Sequence, residues 1–307
     1  MPDRSPNLTR RAALALVALG VLCLSCRREE GGLGSPNAPL VVLLSESHGA
    51  DPARVKELER VLSQASDLKV EVRVAPNSEE AVRMAGTPGV DAALLSTFEY
   101  LFCRQLYGVE AALVAVRLGG ATSHQGDIVA LANGPLQKLS ELEGRKVAYV
   151  DRYSSTGYLL AQKLLFDANV HVTPVFTGSH EAALQALREG KADAAATYAD
   201  SVEGQSDLRV LATTPALPNE PVFFRSGLLP EKRQKLTKAF EQLSASPEGK
   251  HALAGIAHIE GFKATSDRDY AGASALISSV GKSVKDVVPR GWIVSNEAER
   301  KPSDLAP

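Results

Sequence analysis

The chain has 307 residues, with 34 Lys and Arg against 36 Asp and Glu, a net charge of −2. A composition that is 44% hydrophobic and 23% charged is that of an ordinary globular protein, long enough for two modest domains. The balanced charge argues against nucleic-acid binding, no apolar run is long enough for a spanning helix, and three cysteines exclude a disulfide framework.

Residues 1–25 read as an export signal, because Arg4, Arg10 and Arg11 precede an apolar run from Ala12 to Leu24. Ser25-Cys26 closes the run and resembles the lipobox of bacterial lipoproteins, although Cys23 stands where that family carries an aliphatic residue. The resemblance implies cleavage before Cys26 and lipid attachment to it, holding the protein at a membrane surface without inserting it. Residues 26–39, with Gly31, Gly32, Gly34, Pro36 and Pro39, read as a flexible tether, and residues 286–307 as a polar tail.

The body alternates strands and helices. Leu40–Leu44 suits a buried strand, and Asp51-Pro52 caps a helix carrying Val55, Leu58, Val61 and Leu62 at helical spacing. Lys69–Val74 reads as a strand, Ser78–Ala85 as a helix, Ala92–Leu95 as a strand, Thr97–Tyr107 as a helix and Ala111–Val116 as a strand. Gly119-Gly120 breaks the rhythm, and a second series follows. It takes in a strand at Asp127–Ala132, a helix around Leu136–Leu142, a strand at Lys146–Val150 and a helix at about 156–168. Strands at Val172–Phe176, Ala194–Thr197 and Leu208–Thr213 and a helix at about 180–189 complete it. Pro215–Pro221 is a second breaker, followed by a strand at Val222–Phe224 and helices from about Pro230 and Asp267.

Two breakers supply the two crossings needed to insert one α/β module into another. The expected fold is α/β and two-lobed, each lobe a mostly parallel sheet flanked by helices, with a ligand cleft between the lobes. Residues 40–118 with 222–285 would form the first lobe and residues 121–216 the second.

Four segments carry a family likeness: Leu142–Val150, Ser154-Ser-Thr-Gly157, Gly178–Leu184 and Leu217–Val222. In order and spacing they resemble the phosphate, phosphite and phosphonate substrate-binding proteins of bacterial ABC transporters, of the type II periplasmic-binding-protein fold, over roughly residues 40–280. The residues support this on their own chemistry. Ser154, Ser155 and Thr156 sit between a strand and an apolar helix, where unpaired backbone N–H groups and a partial positive charge favour an anion. A plain helix cap with spare hydroxyls would use the same residues. His180 falls in the first turn of the next helix, where the dipole disfavours the imidazolium and a bound anion favours it; a surface histidine would fit there too.

The resemblance implies that Ser154, Ser155, Thr156 and His180 hold the oxyanion. It also implies that Asp200 and Glu220 match acids that receive the ammonium of aminoalkylphosphonates. These two acids would otherwise accept a proton from a P–OH, or be solvated loop residues. Where phosphonate binders carry tyrosines this chain has Ser78 and Leu95, and Ser96 and Ser45 are the hydroxyls positioned to compensate.

No G-x-S-x-G turn, phosphate loop or H-x-x-x-H occurs, and the C-x-x-C formed by Cys23 and Cys26 belongs to the lipobox-like segment, so no enzyme, cofactor or metal site is expected. The sequence is read as an exported, monomeric solute-binding protein in the periplasm or at the cell surface, anchored through Cys26. It would pass a small oxyanion to an ABC transporter permease. A lipoprotein using the same cleft to signal is the alternative.

Overall fold

The structure, a computed structural model, describes residues 32–45, 51–254, 256 and 259–279. The export signal, Cys26, the start of the tether, the loop after Ser45 and the tail lie outside the described residues.

The chain begins with β1 (Leu40–Ser45), α1 (Pro52–Ser66), β2 (Val70–Ala75), α2 (Ser78–Ala85), β3 (Ala92–Leu94), α3 (Thr97–Tyr107) and β4 (Glu110–Val116). Local chemistry starts each helix. Asp51 Oδ1 accepts from Ala53 N at 2.9 Å, Asn77 Oδ1 from Glu80 N at 2.9 Å, and Ser96 with Glu99 forms a capping box on α3. Every residue of β1 is buried, as a strand covered on both faces requires.

After the first crossing come β5 (Ser123–His124), β6 (Gly126–Leu131), β7 (Lys146–Tyr149), α4 (Leu160–Asp167), β8 (Thr173–Phe176), α5 (His180–Arg188), β9 (Ala194–Tyr198) and β10 (Leu208–Thr213). The chain then returns through β11 (Leu217–Pro218), β12 (Pro221–Phe224), α6 (Pro230–Gln242), α7 (Pro247–Leu253), β13 (Gly261–Ala264) and α8 (Ala271–Ser279).

The first sheet has the order β13-β4-β12-β3-β1-β2 and the second β10-β6-β9-β7-β8. Most strands of each sheet point the same way; of the reversed ones, β6 and β12 follow the two crossings and β13 lies at the edge against β4. β12 slots between β3 and β4 antiparallel to both, and β6 runs antiparallel to β9 and β10. The two crossings pair with each other as the short β5–β11 ladder, Leu217 opposite His124 and Pro218 opposite Ser123. Apolar clusters cover both faces of each sheet. Tyr153 and Leu160, from the second lobe, belong to the cluster built mainly on first-lobe residues.

Three local expectations change. The helix around Leu136–Leu142 is only a 3₁₀ turn at Leu139–Leu142, hemmed in by Gly134-Pro135 before and Gly144 at φ 72° after. The segment from Asp267 is a 3₁₀ turn leading into α8. The last part of the supposed tether packs on the body: Leu33 is buried in the core, and Lys69 N donates to Gly34 O at 2.6 Å.

Candidate functional site

The chain leaves β7 at Val150 and enters α4 through one wide turn over Ser155–Leu159, in which Leu159 N donates to Ser154 O and Leu160 N to Ser155 O. Ser154 Oγ caps that turn by accepting from Gly157 N at 3.1 Å, while Ser155 and Thr156 are buried beside it. A Cβ on Gly157 would lie 2.4 Å from Val150 Cγ2 and 2.7 Å from Ser154 Oγ, so only glycine lets this turn close on the strand.

Across the cleft the first turn of α3 faces it. Phe98 N donates to Ser155 Oγ at 3.4 Å, so the N-termini of two helices, one from each lobe, converge on one point. Both ends carry the partial positive charge of a helix N-terminus. Two carboxylates brace them. Asp151 Oδ1 accepts from Tyr153 N at 2.7 Å and Ser154 N at 2.9 Å, and its Oδ2 accepts from Ser78 Oγ at 3.4 Å. Glu99 accepts from Ser45 Oγ at 3.1 Å and from Ser96 N at 2.8 Å. Burial pushes both carboxyls above their ordinary range.

His180 opens α5 behind its cap Ser179, whose Oγ accepts from Ala182 N at 3.1 Å. Its Nδ1 lies 3.1 Å from Thr197 Oγ1, and its ring meets Tyr198 edge-on at 4.9 Å between centroids. Burial, then the nearby His124 and Arg117, hold its pKa down to about 4, with Glu220 pulling the other way. Gly126 links this wall to the hydroxyl turn, because a Cβ there would sit 2.8 Å from Thr156 Cβ and 3.0 Å from Thr197 O.

The crossings form the back of the site. Arg117, on the first, donates from Nη2 to Glu220 Oε1, on the second, at 2.6 Å, and both side chains are nine-tenths buried. His124 Nδ1 lies 2.9 Å from Asn219 Oδ1 in the adjoining ladder, and burial lowers its pKa.

Of the expected residues, Ser154, Ser155, Thr156 and His180 line one wall and Ser96 caps the helix facing it. Ser45 and Ser78 give their hydroxyls to the bracing carboxylates. Asp200 is exposed in a 3₁₀ turn, and its charge reaches His124 and Tyr198. Glu220 is buried against Arg117. Leu95 is fully buried in the first-lobe core with Phe98 and Phe102, so its own side chain does not line the cleft. Sequence reasoning missed Arg117, His124, Asn219, Glu99 and Asp151. The readable signal for Arg117 was its place just before Gly119-Gly120. Among the described residues no group of His, Cys, Asp and Glu could hold a metal ion, and no helix is long and apolar enough to cross a membrane.

Residues 40–270 match the family described as ABC transporter, phosphonate, periplasmic substrate-binding protein. The chain belongs to that family. Its fold is shared with a binding protein component of an ABC phosphonate transporter from Pseudomonas aeruginosa, with TM-score 0.67 and 18% identity over 85% of this chain and 96% of that one. It is shared too with PhnD1 from Prochlorococcus marinus in complex with methylphosphonate, with TM-score 0.68 and 17% identity over 80% and 98%. A Xanthomonas citri protein bound to ATP gives TM-score 0.70 and 19% identity over 81% and 99%. The two-lobed type II periplasmic-binding-protein fold and the role of a transporter's substrate-binding component, both expected from the sequence, stand.

Proposed function

We propose that residues 40–118 with 222–285 and residues 121–216 close as two lobes on a small phosphonate, phosphite or phosphate, which the protein delivers to a membrane permease. The observation that carries this reading is the meeting of two helix N-termini at the Phe98 N to Ser155 Oγ contact. An oxyanion entering there would take the N–H groups and the hydroxyls of Ser96, Ser154, Ser155 and Thr156. A neutral His180 adds a ring N–H that donates without a fixed charge. Neutral donors hold an anion and still release it. Lipidated Cys26 would keep a monomer beside the permease, Asp200 would act from the rim, and the buried Ser45 would act from within by holding Glu99.

The test is thermal unfolding with phosphate, phosphite, methylphosphonate, 2-aminoethylphosphonate, sulfate and taurine. A ligand at a hundredfold excess over its Kd adds about 2.7 kcal/mol, a rise of several degrees in Tm. A rise with at least one phosphorus oxyanion and none with sulfate or taurine is expected. No rise with any phosphorus compound overturns the assignment.

A further inference from the structure

We propose that Arg117 neutralises Glu220 inside the site, so that this protein takes phosphorus oxyanions lacking a cationic arm and discriminates against aminoalkylphosphonates. The inference rests on the oxyanion reading above and narrows its ligand class.

Glu220 standing alone in a cleft would be a receptor for an ammonium group. It does not stand alone. Arg117 Nη2 donates to its Oε1 at 2.6 Å, and the two side chains are 10% and 8% exposed. A guanidinium is permanently charged and its planar fork matches a carboxylate, so a ligand ammonium would have to displace a pre-organised partner. It would also have to sit beside a cation in a poorly solvated place, where like charges repel strongly.

The other carboxylates offer no substitute. Asp200 is exposed, where water and salt screen it. Asp151 and Glu99 already accept from helix-end N–H groups and from Ser78 and Ser45.

Arg117 also has a donor to spare. Its Nε is buried without a hydrogen-bond partner among the described residues, a cost that an oxyanion oxygen would relieve. The charge of Arg117 is felt at His180, His124 and Tyr198, which places it behind the wall where the hydroxyl turn and His180 meet. The pair joins the two crossings, so a purely structural staple is the competing account. Such a staple would not change which ligand is preferred.

The experiment is calorimetric titration of the full chain with methylphosphonate and with 2-aminoethylphosphonate, in wild type, Arg117→Gln, Glu220→Gln and the double variant. The wild type should bind methylphosphonate at least tenfold more tightly. Arg117→Gln, which unmasks the carboxylate, should shift the affinity ratio at least tenfold toward the aminophosphonate. Glu220→Gln, which unmasks the guanidinium, should shift it at least fivefold the other way. The double variant has no buried charge to strand, so it should fold and keep roughly the wild-type ratio; if Arg117→Gln fails to fold, Glu220→Gln against the double variant still reads the effect. Tighter wild-type binding of 2-aminoethylphosphonate, or ratios unchanged across the series, overturns the inference while leaving the oxyanion site intact. Binding of neither ligand, nor of phosphate or phosphite, removes both.

Discussion

Replacing Gly157 by alanine places a methyl group 2.4 Å from Val150 Cγ2 and 2.7 Å from Ser154 Oγ. Neither neighbour can yield cheaply. Val150 is 3% exposed and packed at the end of β7, and Ser154 Oγ is the acceptor that caps the turn. Overpacking of this kind costs about 1–3 kcal/mol, and loss of the cap adds about 1 kcal/mol. A total near 3 kcal/mol would lower Tm by roughly 6–12 °C in a body of this size. Moving the turn also withdraws the N–H groups and hydroxyls of Ser155 and Thr156 from the facing helix, so methylphosphonate affinity should fall at least tenfold. Urea unfolding and calorimetric titration read the two effects. Trimming the obstacle with Val150→Ala should restore part of the affinity of Gly157→Ala. In contrast, Gly272→Ala meets nothing within 4 Å in α8 and should stabilise by about 0.5–1 kcal/mol. A Gly157→Ala protein with wild-type Tm and affinity would refute the account of the turn.

His180, with its pKa lowered to about 4 from an ordinary 6.5, leaves the folded chain binding fewer protons than the unfolded one between those values. The stability it contributes is present above pH 6.5 and is lost as pH falls toward 4; the raised carboxyls of Glu99 and Asp151 act in the opposite sense, losing stability as pH rises. A residue-resolved NMR titration separates these effects, with a His180 midpoint near 4 that rises when methylphosphonate is added; a midpoint at the ordinary value contradicts the geometry. Leu95→Tyr should cost about 1–3 kcal/mol by overpacking the first-lobe core, with no gain in phosphonate affinity, and a stable variant with tighter binding would place position 95 in the cleft. Burial holds the Cys103 thiol well above its ordinary range, so its peptide should escape iodoacetamide at pH 8 in the folded protein and react in urea. Rapid alkylation without denaturant would show that α3 opens.

The elements legible in the sequence are those whose causes lie within a few residues. Helices at Ser78–Ala85 and Thr97–Tyr107 and the strand at Leu208–Thr213 have the bounds that caps, periodicity and flanking turns imply. The hydroxyl turn and His180 were legible for the same reason, because a strand followed by a capped helix is a local event. The breakers marked where the chain changes lobes. Which strands would be neighbours was not readable. β12 enters between β3 and β4, and β13 closes the sheet against β4, through pairings between distant segments whose own patterns are too short to speak. The burial of Leu95 and the contact of Ser78 with Asp151 depend on packing around α3 and across the lobes. Arg117 and Glu220, 103 residues apart, look like ordinary polar loop residues until the β5–β11 ladder brings their segments together and buries both charges. Local hydrogen bonds and side-chain periodicity write the elements into the sequence. The charge balance of the site is decided only where the two crossings meet, because it is a property of the pair and of the water that pair excludes.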